Sequence, residues 1–215
     1  MDLAIFDLDG TLIDSKLDLA HSVNAARAHL GLSPLANETI YSYVGNGAPM
    51  LIRRALGPEA PETDVAAALE FFLGYYREHM LDFTVLYPGV RNALDRMLHS
   101  GIHLAVLTNK PVRISEAIVD GLGLAGHFKH IYGGNSFERK KPDPIGIDTL
   151  IGQLHTCREK TMMVGDSNVD IETARAAHVQ ACGVTYGFQP KSLDICPPDF
   201  RVDNLEQLAD RIIPS

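Results

Sequence analysis

The sequence predicts an α/β fold, in which an open parallel sheet is covered by helices on both faces and a helical segment is inserted after the first strand. Three observations lead there. Short apolar runs ending in polar, mostly glycine-containing turns recur along the chain. Amphipathic helical patterns lie between consecutive runs, and one long segment, residues 15–84, carries helical periodicity alone. Strands buried on both faces read as unbroken apolar runs, and parallel neighbours need a crossover long enough to hold a helix.

Leu3, Ala4, Ile5 and Phe6 form the first run, and the acidic turn that follows, with Gly10 in it, ends the strand in a loop. The inserted segment shows three apolar stripes at helical spacing. They are Leu17, Ala20, Val23 and Ala28, then Leu51, Ile52, Ala55 and Leu56, then Leu69, Phe72, Leu73, Tyr76 and Met80. Tyr87-Pro88-Gly89 is the turn signal that returns the chain to a sheet-covering helix. Beyond it, strands are expected at 103–107, 131–132, 162–164 and 181–186, with helices at 90–98, 112–122, 144–154, 171–177 and 205–212. The expected division is a core of residues 1–14 and 85–215 with a helical lid of residues 15–84.

With 215 residues, 46% of them hydrophobic and 21% charged, the chain can bury a sizeable core as one globular unit with a subdomain. Its formal charge of -8 supplies no general positive field, so neither nucleic acid nor an anionic membrane is expected as a partner. A small anion must then be met by a local positive centre. Cys157, Cys182 and Cys196 are odd in number, lack C-x-x-C spacing and have no histidine partners at zinc-finger distance. That set favours neither a disulfide framework nor a structural zinc site, and fits a reducing, cytoplasmic setting. The first apolar run is too short for a signal peptide or a membrane span, and no other run is long enough to span. A monomer and a homodimer are both compatible with the sequence.

Four strand ends carry chemistry. Asp7 and Asp9, in Asp7-Leu8-Asp9-Gly10-Thr11, can converge at the C-terminal edge of the sheet, where open α/β folds bind ligands. Two carboxylates repel a phosphate ester unless a cation intervenes, and Mg2+ accepts carboxylate and phosphate oxygens together. One carboxylate can then attack phosphorus while the other gives a proton to the leaving alcohol and later takes one from water. Gly10 lets the backbone turn close to a phosphate, with neighbouring N–H groups as donors. Thr108-Asn109 ends the next strand with a hydroxyl and an amide that can hold a phosphoryl oxygen without adding full charge. In Arg139-Lys140-Lys141-Pro142-Asp143-Pro144, a lysine ahead of a proline-led helix can neutralise charge at phosphorus, and these residues alone leave Lys140 and Lys141 both open. Gly165-Asp166-Ser167-Asn168-Val169-Asp170 puts Asp166 at the same sheet edge and Asp170 in the first turn of a helix, suited to a water-mediated metal contact or to the helix dipole. An acidic turn, a helix cap or a surface lysine explains any one of these groups. Their coincidence at four strand ends points to a phosphate site.

The pattern resembles the haloacid dehalogenase-like superfamily of hydrolases, in its phosphatase branch. The matching segments are Phe6-Asp7-Leu8-Asp9-Gly10-Thr11-Leu12, Leu107-Thr108-Asn109, Lys141-Pro142 and Gly165-Asp166-Ser167-Asn168-Val169-Asp170, spread over nearly the whole chain. The resemblance implies a Rossmann-like open parallel sheet core with an inserted α-helical cap, and Mg2+ as cofactor. It also implies that Asp7 is the nucleophile and Asp9 the general acid/base, whose backbone carbonyl meets the metal. Thr108 then binds the phosphate, Lys141 stabilises its charge, Asp166 ligates Mg2+ directly and Asp170 orders metal-bound water. Gly10, Thr11 and Asn109 stand beside these groups as expected substrate contacts. Asp9 argues against the dehalogenases of the family, which have no leaving-group oxygen to protonate, whereas the sugar-phosphate mutases keep both acids. Thr11 leans towards the phosphatases.

Within the insert, Tyr43-Val44-Gly45-Asn46-Gly47-Ala48 leading into Leu51-Ile52-Arg53-Arg54-Ala55-Leu56 is similar to phosphoglycolate phosphatases, as is Leu86-Tyr87-Pro88-Gly89-Val90. The similarity implies that Gly45, Asn46 and Gly47 bring backbone N–H groups to a small substrate carboxylate, with Arg53 or Arg54 as its cation. The glycines can equally cap the next helix. A cap that closes excludes bulk water and restricts the substrate to a small anionic phosphomonoester. One departure is His178, which follows Ala176-Ala177 where these phosphatases commonly have a helix-ending glycine, and histidine takes a left-handed cap less easily.

The sequence therefore points first to a phosphomonoesterase with an aspartyl-phosphate intermediate and 2-phosphoglycolate as leading substrate. A β-phosphoglucomutase-like sugar-phosphate mutase is the alternative enzyme. A non-catalytic phosphometabolite-binding protein is the alternative of another class, and its simplest mark is loss of Asp7 or Asp9, both present here. His21, His99, His127 and His155 show no metal-binding grouping, and no catalytic triad, dinucleotide fingerprint or P-loop occurs.

Overall fold

The computed structural model describes residues 1–213. In chain order its first elements are β1 (Leu3–Phe6), β2 (Ile13–Asp14), α1 (Lys16–His29), α2 (Asn37–Tyr41), α3 (Ala48–Leu56), α4 (Glu62–His79) and β3 (Val85–Leu86). There follow α5 (Val90–His99), β4 (His103–Leu107), α6 (Val112–Gly121), β5 (His130–Tyr132), α7 (Ile145–Gln153) and β6 (Thr161–Gly165). The chain ends with α8 (Asn168–Ala176), β7 (Gln180–Val184), α9 (Ser192–Ile195), β8 (Phe200–Val202) and α10 (Leu205–Ile212). Two compact units result, Met1–Ile13 with the chain from Leu86 onward, and Asp14–Val85. The two-residue strands β2 and β3, which pair with each other, lie where the chain leaves the first unit and returns to it.

The first unit is built on a six-stranded sheet in the order β5-β4-β1-β6-β7-β8. All its pairings are parallel, and β1 sits inside it, with Phe6 level with Val106 on one side and Val164 on the other. From β1 the chain steps outward through β4 to β5, then crosses back to β6 on the other side of β1. The strand order reverses between β1 and β6, and doubly wound sheets place ligands at the C-terminal ends of the strands flanking such a switch point. Leu3, Ile5, Ala105, Leu107 and Met163 bury one face against Ile147 and Leu150 of α7 and Ile171 and Ala174 of α8. The alternate residues Ala4, Phe6, Leu104, Val106, Met162 and Val164 are fully buried as well, and α5 packs on β4 and α10. Burial on both faces explains why these strands read as unbroken apolar runs.

The elements outside that core depart from the sequence expectation for local reasons. β8 is a three-residue strand with an exposed arginine in its middle, too short and too mixed to stand out. β7 stops at Val184 instead of continuing to Tyr186, because the chain turns there and sends the N–H groups of Phe188 and Gln189 to Asp166. α8 begins three residues earlier than its apolar pattern, since Ser167 and Asp170 form a capping box that satisfies its first N–H groups.

In the second unit α1 and α3 both pack on α4. The buried positions are Leu19, Ala20, Val23 and Ala26 on α1, Leu51, Ile52 and Ala55 on α3, and Val65, Ala68, Phe72 and Tyr76 on α4. The α3 stripe holds, with only Leu56 half-buried, and those on α1 and α4 are slightly rotated. Leu17, Leu69, Leu73 and Met80 are only half-buried and Ala28 is exposed. On α4 the face is set by Phe72 and Tyr76, whose rings stack at 5.5 Å. The two ends of the unit are tied together by Asp18, which is buried near the start of α1. Its carboxylate accepts from Thr84 N at 2.8 Å, Thr84 Oγ1 at 2.6 Å and Phe83 N at 3.1 Å. Among the described residues no helix is long and apolar enough to cross a membrane.

Candidate active site

β1 delivers Asp7 directly from its C-terminal end. The Asp7 N–H still donates to Val164 O of β6 at 2.9 Å, so the residue is held in sheet register. Its Oδ1 accepts from Leu8 N at 2.7 Å and lies 3.1 Å from Lys141 Nζ. The chain then turns sharply, with the N–H groups of Thr11, Leu12 and Ile13 all returning to Leu8 O. Gly10 has φ 82°, and a Cβ there would overlap the Asp166 carboxylate, so this close approach requires glycine. Thr11 is fully buried, and its side-chain hydroxyl has no hydrogen-bond partner among the described residues.

Two other strand ends, and the segment before α7 that holds Lys141, meet this loop. After β4, Thr108 is buried and its Oγ1 accepts from Lys110 N at 3.2 Å. Asn109 Nδ2 donates to Lys141 O at 3.1 Å, which ties the β4 end to the segment before α7. The structure selects between the two lysines of that segment. Lys141 is buried and places Nζ 2.6 Å from Asp170 Oδ1, while Lys140 is exposed. After β6, Asp166 Oδ2 accepts from Phe188 N at 2.6 Å and Gln189 N at 3.2 Å. Asp170 is fully buried, and its Oδ2 accepts from Ser167 Oγ at 2.8 Å and Ser167 N at 3.1 Å.

The electrostatics follow from this crowding. Asp7, Asp166 and Asp170 offer oxygens that all lie within 4.8 Å of one another. Burial pushes Asp7 up to about 6, although Lys141 pulls against it; Asp170 and Asp9 add to the rise. Burial, and then the charges of Asp170 and Asp7, push Asp166 up to about 8. Burial alone would lower Lys141, but Asp170 and Asp7 outweigh it and leave its pKa raised. Four carboxylates, counting Asp9, face two ammonium groups, Lys141 and Lys110. An oxygen-only donor set with this excess of negative charge fits a hard divalent cation.

Lys110 is the residue that sequence reasoning overlooked. Its side chain is 5% exposed, and Nζ meets both Asp9 oxygens, at 2.9 and 3.0 Å. The signal was its place immediately after Thr108-Asn109, at one of the strand ends already singled out. Ser167 and the 187–189 turn, which fix Asp170 and Asp166, were also missed. His178 takes φ 54° just beyond α8, with its N–H on Arg175 O at 3.1 Å, so histidine adopts the left-handed conformation that glycine would favour.

Gly45, Asn46, Gly47 and Arg53 belong to the helical unit. Gly45 has φ 115° and Gly47 φ 84°, and Gly47 caps α3. Arg53 donates to Ala60 O at 2.8 Å and pairs with Glu62, and Arg54 donates to Tyr43 O at 3.0 Å.

The model of the family described as haloacid dehalogenase-like hydrolase matches residues 4–184. The phosphoglycolate phosphatase of Chromobacterium violaceum is 40% identical over 215 residues, covering 95% of this chain and 93% of that protein. That of Pseudomonas putida is 38% identical, over 96% of this chain and 78% of its own length. Among solved structures, a predicted phosphoglycolate phosphatase from Haemophilus somnus has a TM-score of 0.94 at 31% identity, covering 98% of this chain and 97% of that one. The family match takes in every strand end from which the buried acids and lysines project, and the chain belongs to the haloacid dehalogenase-like hydrolases.

Proposed function

We propose that this chain is a magnesium-dependent phosphatase that hydrolyses 2-phosphoglycolate to glycolate and phosphate through a phosphoryl group carried on Asp7. The observation that carries the reading is that two carboxylates from one loop are held in different ways. Asp7 lies in the buried acidic cluster on Lys141, while Asp9, with 13% of its side chain exposed, is held by Lys110. Such a pair divides the work of a nucleophile and a proton carrier.

In the first step an Asp7 oxygen attacks phosphorus and the bond from phosphorus to the leaving oxygen breaks. Asp9 gives its proton to that oxygen as charge develops on it. In the second step Asp9 takes a proton from water, the water oxygen attacks phosphorus, and the Asp7 carboxylate is released. Lys141 offsets charge between Asp7 and the phosphoryl group, and the Thr108 and Thr11 hydroxyls and the Asn109 amide supply donors to the phosphoryl oxygens, whereas the Gly10 N–H donates to Ile13 O at 2.9 Å. Asp7, Asp166 and the backbone carbonyl of Asp9 would hold Mg2+, and Asp170, whose oxygens already accept from Lys141 and Ser167, would order its water. Bound there, the ion would neutralise negative charge shared by the carboxylates and the phosphoryl oxygens.

The choice of 2-phosphoglycolate is supported by the relatives, several of which are named phosphoglycolate phosphatases. We assign the helical unit the role of cap, with Gly45, Asn46, Gly47 and Arg53 as contacts to the substrate carboxylate. The test is kcat/KM with Mg2+ across phosphoglycolate, hexose phosphates, nucleotides and pyridoxal phosphate, beside the Asp7→Asn variant. A preference of about 100-fold for phosphoglycolate, about 2.7 kcal/mol, is expected. Asp7→Asn should form no phosphoenzyme; full turnover by that variant, with deamidation excluded, would overturn the mechanism. Product formation from a hexose 1-phosphate with a bisphosphate primer would identify a mutase instead.

A further inference from the structure

We propose that Lys110 is a positioning residue that fixes the orientation of the Asp9 carboxylate for proton transfer; the inference rests on the phosphomonoesterase reading above. A carboxylate on a loop can rotate about two side-chain bonds, and a proton carrier misplaced by about 1 Å can lose on the order of 100-fold in rate. Here one ammonium touches both oxygens, at 2.9 and 3.0 Å, which fixes the plane of the group as well as its position.

The Lys110 backbone is itself held at two points, its N–H donating to Thr108 Oγ1 at 3.2 Å and its carbonyl accepting from Gly134 N at 2.9 Å, and its side chain is 5% exposed. A lysine normally keeps its charged end in water, and burying it is unfavourable unless the charge is paired. The pairing with Asp9 supplies that compensation. Each of the two loop acids thus has its own lysine. Lys141 is shared between Asp7 and Asp170, where charge is densest, and Lys110 faces Asp9 from the neighbouring strand end.

A positioning role makes the effect of losing Lys110 depend on whether the leaving group needs a proton. The full chain with Mg2+ is tested on 2-phosphoglycolate, whose alkoxide leaving group needs one, and on p-nitrophenyl phosphate, whose phenolate does not. Lys110→Met should lower kcat for phosphoglycolate by about 10- to 100-fold, part of the rate that general acid catalysis supplies, with KM held within about threefold. The rate of phosphoenzyme formation from p-nitrophenyl phosphate should stay within about threefold of wild type. Lys110→Arg should restore part of the lost rate. In an Asp9→Asn background, Lys110→Met should cost nothing further, because both changes act through one group.

Equal losses on both substrates with a raised KM would overturn the inference and make Lys110 a direct phosphate contact. Additive losses in the double variant, or no loss at all, would overturn it too. Lys110→Gln gives the same comparison if Lys110→Met fails to fold. If wild type forms no phosphoenzyme from either substrate, the phosphatase mechanism fails and the lysine assignment falls with it. If wild type forms one and the variant shows no leaving-group dependence, only the lysine assignment fails.

Discussion

Replacing Lys141 with methionine tests the electrostatic account of the site most directly. Methionine fills nearly the same volume, so packing changes little and the loss is one of charge. The lysine side chain is 1% exposed, with Nζ 2.6 Å from Asp170 and 3.1 Å from Asp7, so the variant leaves two carboxylates without this cation. Removing one partner of a buried ion pair costs about 3–5 kcal/mol. For a chain of this size, at about 2–4 °C per kcal/mol, the melting temperature should fall by about 6–20 °C. The sign with pH is fixed by Asp7. Burial raises it and Lys141 is the largest opposing influence, so without Lys141 its folded-state value climbs further above about 6. A group raised on folding contributes fully below its ordinary value and loses that contribution as pH rises through the folded value. The penalty should therefore be small near pH 4 and deepen beyond pH 6. Urea unfolding at pH 5 and pH 8 in chelator measures it, and kcat/KM of the folded variant should drop about 100- to 1,000-fold, as when one transition-state donor is removed. An unchanged unfolding midpoint at pH 8, or a penalty that shrinks as pH rises, would refute the reasoning.

Three further outcomes follow from the same geometry. Asp7 at about 6 and Asp166 at about 8 are both raised by burial, so the metal-free chain should lose stability as pH rises from about 4 through 8, and the thermal stabilisation by Mg2+ should grow over that window; an increment independent of pH would contradict the assigned metal ligands. Gly187→Ala would set a Cβ 2.5 Å from Asp166 Oδ2 and 2.6 Å from Gly10 O, displacing Asp166. Its Mg2+ affinity, read by calorimetry, should fall about 10- to 100-fold, and wild-type affinity would exclude Asp166 as a ligand. Asp18→Ala removes the acceptor for Phe83 N, Thr84 N and Thr84 Oγ1, and should destabilise the helical unit by about 1–3 kcal/mol. Amide exchange at Phe83 and Thr84 should speed up, and unchanged protection there would show that Asp18 does not hold the two ends together.

The features most legible in the sequence are those that physics makes repetitive. β1, β4 and β6 are buried on both faces and so appear as apolar runs, and Asp7, Thr108 and Asp166 announce themselves by standing where those runs stop. Lys110 is less legible. Its place directly after Thr108-Asn109 is the one sequence signal, but a lysine in a loop otherwise reads as solvated charge, and its role shows in its burial against Asp9. Lys140 and Lys141 likewise differ little in sequence context, yet one is exposed and the other buried against two acids. In the helical unit, the buried face of α4 depends on the Phe72–Tyr76 stack and on packing with α1 and α3, which helical periodicity alone places only to within a residue or so. β8 and the 187–189 turn are short segments whose conformation is decided by partners far away in sequence.

The interior position of β1 also governs when the site can come into being during synthesis. Leu3–Phe6 pairs with His103–Val106 and with Thr161–Val164, so an apolar strand made first waits for neighbours made much later. At about 5–20 residues per second, the ribosome delivers the second neighbour about 8–30 s after the strand itself. Until β4 is made both edges of β1 are open, and until β6 is made one of them still is, so its unpaired backbone groups and apolar side chains invite wrong pairings. A chain released before Thr161 carries Asp7 and Asp9 and yet has no site.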